Sequence, residues 1–246
     1  MPGNLRVSGP RNLPTGGERA ALVEEMFDRI AGRYELLNTV MTGGMHRLWN
    51  RRIIKAANII PGDRVLDLAC GTGSLTRDIA ARVGESGSVL GVDFSREMLR
   101  GAGSRPRPNV EYRRGDATDL RFIEDEAFDA ATIAYGARNI PNLDGLFAEM
   151  RRVVRPGGRV VCLEIATPEN EVSKAFYGLW FDRVVPKIGA RISGDAEAYT
   201  YLPKSVKEFV AADDLSGIIE RNGLQDVTYR RLAGGIITLH RGVRGL

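Results

Sequence analysis

The chain has 246 residues, 43% hydrophobic and 27% charged, close to globular averages, which excludes a disordered or fibrous protein. Thirty-five Lys and Arg against 31 Asp and Glu leave a net charge of +4, too small an excess to argue for a nucleic-acid partner by itself. Cys70 and Cys162 lack C-x-x-C spacing and His46 and His240 stand far apart, so neither a protein metal site nor a disulfide is expected.

Residues 1–17 carry Pro2, Pro10 and Pro14 and no periodic apolar pattern. They read as a flexible tail without the apolar stretch of a signal peptide, and the expected location is cytoplasmic. From Glu18 the spacing is helical, with Leu22, Met26 and Ile30 on one face beside Val23, Phe27 and Tyr34. A second helix is predicted over 46–57, and the two form a helical cap over 18–60. Arg64–Ala69 reads as a strand buried on both faces. Helix 74–83, strand 88–92, helix 96–103 capped by Ser95, strand 110–114, strand 129–134, helix 143–154 and strand 159–165 follow, read as five β-α units. Residues 173–192 form an aromatic-rich helical stretch and 205–222 another helix, with 170–210 acting as a lid or substrate insertion. Strands 226–232 and 236–241 flank Ala233-Gly234-Gly235, a hairpin spacing. The expected fold is a single α/β domain over 18–246. It is a Rossmann-like, mostly parallel seven-stranded sheet with helices on both faces and an antiparallel C-terminal hairpin.

The first strand runs into Asp67-Leu-Ala-Cys-Gly71-Thr72-Gly73, which opens a helix. Glycines there let a ligand approach the backbone, and the helix amino-terminus offers free N–H groups. A dinucleotide fingerprint wants a third glycine where this chain has Thr76, so a nucleoside without pyrophosphate fits better than NAD. Asp93, at the end of the second strand, is placed to accept from ribose hydroxyls. Gly115-Asp116-Ala117, after the third, is placed to read the edge of adenine. Each signal alone suits a plain turn equally well. Together they converge on the crevice at the carboxyl ends of an open α/β sheet.

The Asp67–Gly73 loop and the order of ribose and adenine acids resemble class I S-adenosylmethionine-dependent methyltransferases. FDRIAGRYELLNTVMTGGMHRLWNRR (27–52), YGARNIPNLDGLFAEMRRVVRPGGRVVCLEIATP (135–168) and RISGDAEAYTYLPKSVKEF (191–209) resemble the ubiquinone/menaquinone biosynthesis C-methyltransferase family, its demethylmenaquinone methyltransferases in particular. The resemblance covers residues 18–243. It implies S-adenosylmethionine as cofactor, held by Thr72, Asp93, Asp116 and Ala117; Asp67, Gly71 and Gly73 of the loop are further candidates to bind it, and Tyr34 is a candidate to close over its methionine end. It also implies a polyprenyl quinol substrate: a demethylmenaquinol, or alternatively a related benzoquinol. Family members often carry Ser where this chain has Ala134.

Methylation of a ring carbon requires a reduced quinol whose phenol is at least partly deprotonated, and therefore a base or a cationic clamp. Arg138 follows the fourth strand, and a guanidinium pKa above about 12 makes it a stabiliser of phenolate and an orienter of water, assisted by Asn139, rather than the base. A loop salt bridge is the alternative. His46 has the ordinary pKa of a proton acceptor near neutrality, although a surface or capping role serves as well. Tyr199 and Tyr201 either hydrogen-bond quinol oxygens or pack the lid, and His240 reads as structural. The stretch from Phe176 to Val185, flanked by Lys174, Arg183, Lys187 and Arg191, suits a tail channel, a peripheral contact with anionic lipid, core packing or a homodimer interface. Ala134-Tyr135-Gly136-Ala137 lacks the Asp/Asn-Pro-Pro-aromatic element of base amino-methylation, which disfavours nucleic acid as substrate. A scaffold that binds cofactor without catalysis is disfavoured by the presence of Arg138 and Asn139.

Overall fold

Five segments pair in parallel: Arg64–Leu68 (β1), Ser88–Asp93 (β2), Val110–Arg114 (β3), Phe128–Ala134 (β4) and Val154–Ile165 (β5). Leu224–Leu232 (β6) and Ile237–Arg244 (β7) form an antiparallel hairpin whose second strand pairs with β5. The computed structural model, which describes residues 16–180, 184 and 196–246, sets them in one sheet in the order β3-β2-β1-β4-β5-β7-β6. The helices among the described residues are Gly16–Ile30 (α1), Tyr34–Thr42 (α2), His46–Ala56 (α3), Ser74–Val83 (α4), Arg96–Gly103 (α5), Leu143–Val153 (α6), Glu171–Leu179 (α7), Ala196–Glu208 (α8) and Ala212–Arg221 (α9).

Alternation along the central strands divides the core between the two faces of the sheet. Val65, Ala130 and Val161 pack with Ile53 of α3 and Ile79 of α4, while Leu66, Ile133 and Cys162 pack with Phe147 of α6 and Leu215 of α9. β1 has β2 on one side and β4 on the other, so the chain leaves these neighbouring carboxyl ends in opposite directions and a crevice opens between them. The N-terminal helices close over that crevice. The Ser95 hydroxyl accepts from Met98 N–H as the cap of α5 and donates to Asp28 of α1 at 2.5 Å, and Arg114 pairs with Glu24 at 2.6 Å.

Several boundaries differ from the expectation for identifiable reasons. The first helix ends at Ile30 and resumes as α2 after a 3-10 turn over Ala31–Arg33. Leu22 is exposed at 39%, because the buried stripe runs through Val23, Met26 and Ile30. The link from β3 to β4 carries no helix, so the repeat of five β-α units is interrupted there. Asp116 accepts from both the N–H and the hydroxyl of Thr118, and such local bonds compete with helix formation. The predicted helix 205–222 is two, α8 and α9, and the acids Asp213 and Asp214 sit in the first turn of the second, where the helix end favours them. Strand β5 starts at Val154, with a register shift opposite Phe128 and Ala130. The tail up to residue 15, and most of the aromatic-rich stretch beyond Trp180, lie outside the described residues.

Gly136, two residues beyond β4, lies against Ala69 at the end of β1. A Cβ on it would stand 2.4 Å from that of Ala69. Overpacking at such a contact costs roughly 1–3 kcal/mol. Gly136→Ala is expected to lower the unfolding free energy by that amount, read as a lower urea midpoint at an unchanged slope, and an unchanged midpoint would contradict the close approach.

Candidate active site

The loop after β1 turns sharply, with φ of +55° at Gly71 and +77° at Gly73. Gly71 N–H donates to Asp93 Oδ2 at 2.7 Å and Ser95 N–H donates to Oδ1 at 2.9 Å. These bonds lock the carboxylate at the end of β2 against the glycine loop. Asp93 is only 6% exposed. Burial raises its pKa, against the lowering effect of the backbone N–H groups. It lines a cavity of about 580 Å³ with Gly71, Gly115, Asp116, Ala117 and Tyr34. That volume falls within the usual range for a small-molecule site. Gly71, Asp93 and Asp116, from three separate strand ends, thus face one space.

Two further cavities adjoin it. An apolar one of about 360 Å³ is lined by Met26, Ile30, Trp49, Ile165, Phe176 and Ile237, with Asn38, Thr42, His46, Arg138 and Tyr201 among its polar members. A polar one of about 600 Å³ takes in Asp67, Thr72, Glu35, Arg77 and Arg105. Tyr34 and Tyr135 line all three. Asp67 accepts from the hydroxyls of Thr76 at 2.6 Å and Thr132 at 2.8 Å, and burial pushes its pKa up to about 6. Gly73 stands outside the walls of these cavities. Its left-handed backbone begins α4, and a Cβ there would meet the Tyr112 hydroxyl at 2.2 Å.

After β4 a 3-10 turn, Ala137–Asn139, directs its two polar residues to different spaces. Asn139 lines the carboxylate-bearing cavity and Arg138 the apolar one. Arg138 Nη1 donates to Glu164 Oε1 at 2.6 Å and to the Tyr135 carbonyl at 2.5 Å, while its N–H reaches Glu164 Oε2 at 3.1 Å. Both side chains are buried, Glu164 completely. Burial works against the arginine charge, but the Glu164 carboxylate outweighs it and the pKa moves up. Arg138 therefore lines the apolar cavity and makes the salt bridge at once. The Tyr201 hydroxyl donates to Asn139 Oδ1 at 3.1 Å, joining α8 to this turn. Tyr199 lies on α8, and its side chain is outside the described residues.

His46 begins α3 with Nδ1 3.2 Å from Thr42 Oγ1. The Thr42 hydroxyl already donates to the Asn38 carbonyl at 2.6 Å. A hydroxyl has one proton to give, so Nδ1 must be the donor to Thr42, which leaves Nε2 as the acceptor nitrogen. Burial, and then Arg47, pushes the imidazole pKa below 6.5 and keeps it neutral near pH 7. His240, by contrast, is buried between its stacking partner Tyr229 and the Ala212 carbonyl, in a packing role.

Glu164 and Tyr135 went unnoticed in the sequence. Glu164 had a readable signal: an acid inside the apolar strand RVVCLEI requires a partner once buried. Tyr135 had none, since its importance arises from where three cavities meet.

The fold places this chain among class I methyltransferase architectures. A solved S-adenosylmethionine-dependent methyltransferase from Aquifex aeolicus superposes with a TM-score of 0.59 at 16% identity, covering 79% of this chain and 88% of that one. The sequence profile of the ubiE/COQ5 methyltransferase family matches residues 15–244, and the chain belongs to that family. It is 40% identical over 233 residues to a demethylmenaquinone methyltransferase of Desulfitobacterium hafniense, covering 93% of this chain and 92% of the relative. It is 38% identical over 232 residues to the ubiquinone/menaquinone biosynthesis C-methyltransferase UbiE of Teredinibacter turnerae, covering 92% and 93%.

Removing one partner of a buried ion pair strands the other's charge and costs roughly 3–5 kcal/mol. Glu164→Gln should destabilise the fold by about that much in urea unfolding, and the double variant Arg138→Met/Glu164→Leu should recover most of the loss. A single-variant loss under about 1 kcal/mol would show that the pair is not a buried constraint.

Proposed function

We propose that this chain transfers the methyl group of S-adenosylmethionine to a ring carbon of a polyprenylated demethylmenaquinol. One observation carries the reading: a carboxylate-lined cavity of nucleoside size and an apolar cavity share Phe27, Tyr34 and Tyr135 as common walls. When bound, S-adenosylmethionine supplies an electrophilic methyl on a sulfonium. The residues present fit it. Asp93 retains acceptor capacity for ribose hydroxyls, and Asp116 with Ala117 N–H suits the adenine edge. Asp67, Gly71, Thr72 and Tyr34 border the methionine end. Burial disfavours the ionised forms of Asp67 and Asp93, and a cationic ligand compensates that cost.

The apolar cavity suits an aromatic ring and the start of a prenyl tail. The ring carbon becomes nucleophilic as its phenol loses a proton, and two residues of this cavity serve that step. Arg138, held by Glu164, presents a fixed positive charge towards the developing phenolate. His46 Nε2, neutral and unprotonated, accepts the proton directly or through a water. The name of the Desulfitobacterium relative supports a naphthoquinol, and that of the Teredinibacter relative supports a related benzoquinol as the second reading. Val172, Phe176 and Leu179 are exposed on α7, and Phe176 stacks on Trp180 at 6.1 Å beside the apolar cavity. This face supports peripheral contact with a membrane that holds the substrate's tail. Among the described residues no helix is long and apolar enough to cross a membrane.

Supplying both demethylated quinols, reduced, with methyl-labelled S-adenosylmethionine should place label in the menaquinol product. Label in the benzoquinol product alone would select the second reading, and label in neither would refute both. The pH profile tests the base. His46 is in its basic form above its lowered pKa, so kcat/KM should be flat near neutrality and fall tenfold per unit once the pH drops below that value. His46→Gln should remove this acidic limb and lower the plateau by roughly 10²–10⁴-fold. An identical profile in the variant would exclude His46 as the acceptor.

A further inference from the structure

Tyr135 leaves β4 with φ of +60°, a conformation that non-glycine residues with bulky side chains rarely adopt and that gathers at functional positions. The resulting turn sets the ring in the partition between the carboxylate-lined and apolar cavities. There it meets Trp49 edge-on, with centroids 6.3 Å apart. Its hydroxyl is shut off from solvent and has no hydrogen-bond partner among the described residues. A buried O–H in that state is a net cost to the fold. Phenylalanine would keep the ring contact with Trp49 and avoid that cost, so packing alone does not account for the oxygen. Burial, followed by the Glu164 carboxylate, pushes the phenol pKa up. The group therefore keeps its proton at neutral pH and acts as a donor.

We propose that the Tyr135 hydroxyl binds substrate by donating a hydrogen bond to a ring oxygen of the dihydroxyaromatic acceptor. This assignment rests on the proposed function, because it requires an oxygenated ring in the apolar cavity. It gives that cavity a neutral donor in addition to the Arg138 charge. A neutral phenol can bind the protonated quinol and strengthens its bond as phenolate character develops.

Tyr135→Phe tests the assignment with probes independent of turnover. Affinity for 1-naphthol, measured by calorimetry with S-adenosylhomocysteine saturating, should fall about tenfold, in line with one lost buried hydrogen bond. Affinity for S-adenosylhomocysteine should stay within about twofold. The ligand-free variant should be at least as stable as the wild type, since the orphaned hydroxyl is gone. In turnover, kcat/KM for the quinol should drop roughly tenfold or more. Equal naphthol affinity in variant and wild type, a wild type that does not bind naphthol, or a variant less stable without ligand would each overturn the proposal. If naphthol binding weakens as expected while the wild type transfers no label to either quinol, the proposed function fails and the hydroxyl contact stands.

Discussion

The bonds that Asp93 accepts from Gly71 and Ser95 are the constraint on which the rest of the site depends. They tie together the ends of two neighbouring strands and hold the glycine loop in its left-handed turn. They also orient the amino-terminus of α5, whose cap Ser95 in turn fixes α1 through Asp28. One carboxylate thus ties the floor of the carboxylate-lined cavity to the helices above it. Without it, the loop N–H and the Ser95 N–H would lose their shared acceptor.

Charge and apolarity are separated around that floor. The buried carboxylates Asp67 and Asp93 lie on one side, whereas the neighbouring cavity is walled by Met26, Ile30, Trp49 and Ile165. The ion pair of Arg138 with Glu164 sits on the apolar side, neutralised enough to be buried while Arg138 still lines that cavity. The turn Ala137–Asn139 joins the two environments, because adjacent residues on it serve opposite cavities. Methyl transfer depends on holding an electrophile and a nucleophile in line at close range, and two cavities with shared aromatic walls suit that requirement.

Much of this was legible along the chain because the signals are local. Strand β1, the Gly71–Gly73 turn, the Ser95 cap and the acids at the ends of β2 and after β3 are each encoded within a few residues, and strand polarity places them at one end of the sheet. The C-terminal hairpin was readable from Ala233-Gly234-Gly235 for the same reason. The break before α2 was hidden because Tyr34 continues the apolar spacing of α1 across Gly32. The split between α8 and α9 was hidden because no proline or glycine marks it. Leu22 satisfied the periodicity and still faces solvent, since neighbouring Val23 occupies the buried stripe. The acid in the apolar strand RVVCLEI announces that Glu164 needs a partner, but that the partner is Arg138, and that the Tyr135 hydroxyl is stranded, are tertiary facts created by β4 and β5 lying side by side.

The central claim is that the carboxylate-lined cavity holds the adenosyl group and opens towards the apolar one through the partition of Tyr34 and Tyr135. A crystal structure of the protein with S-adenosylhomocysteine tests it directly. The ribose is expected on Asp93, the adenine beside Asp116 and Ala117, and the sulfur at the Tyr34–Tyr135 partition facing the apolar cavity. An adenosyl group lodged instead among Glu35, Arg77 and Arg105, with its sulfur turned away from that partition, would contradict it.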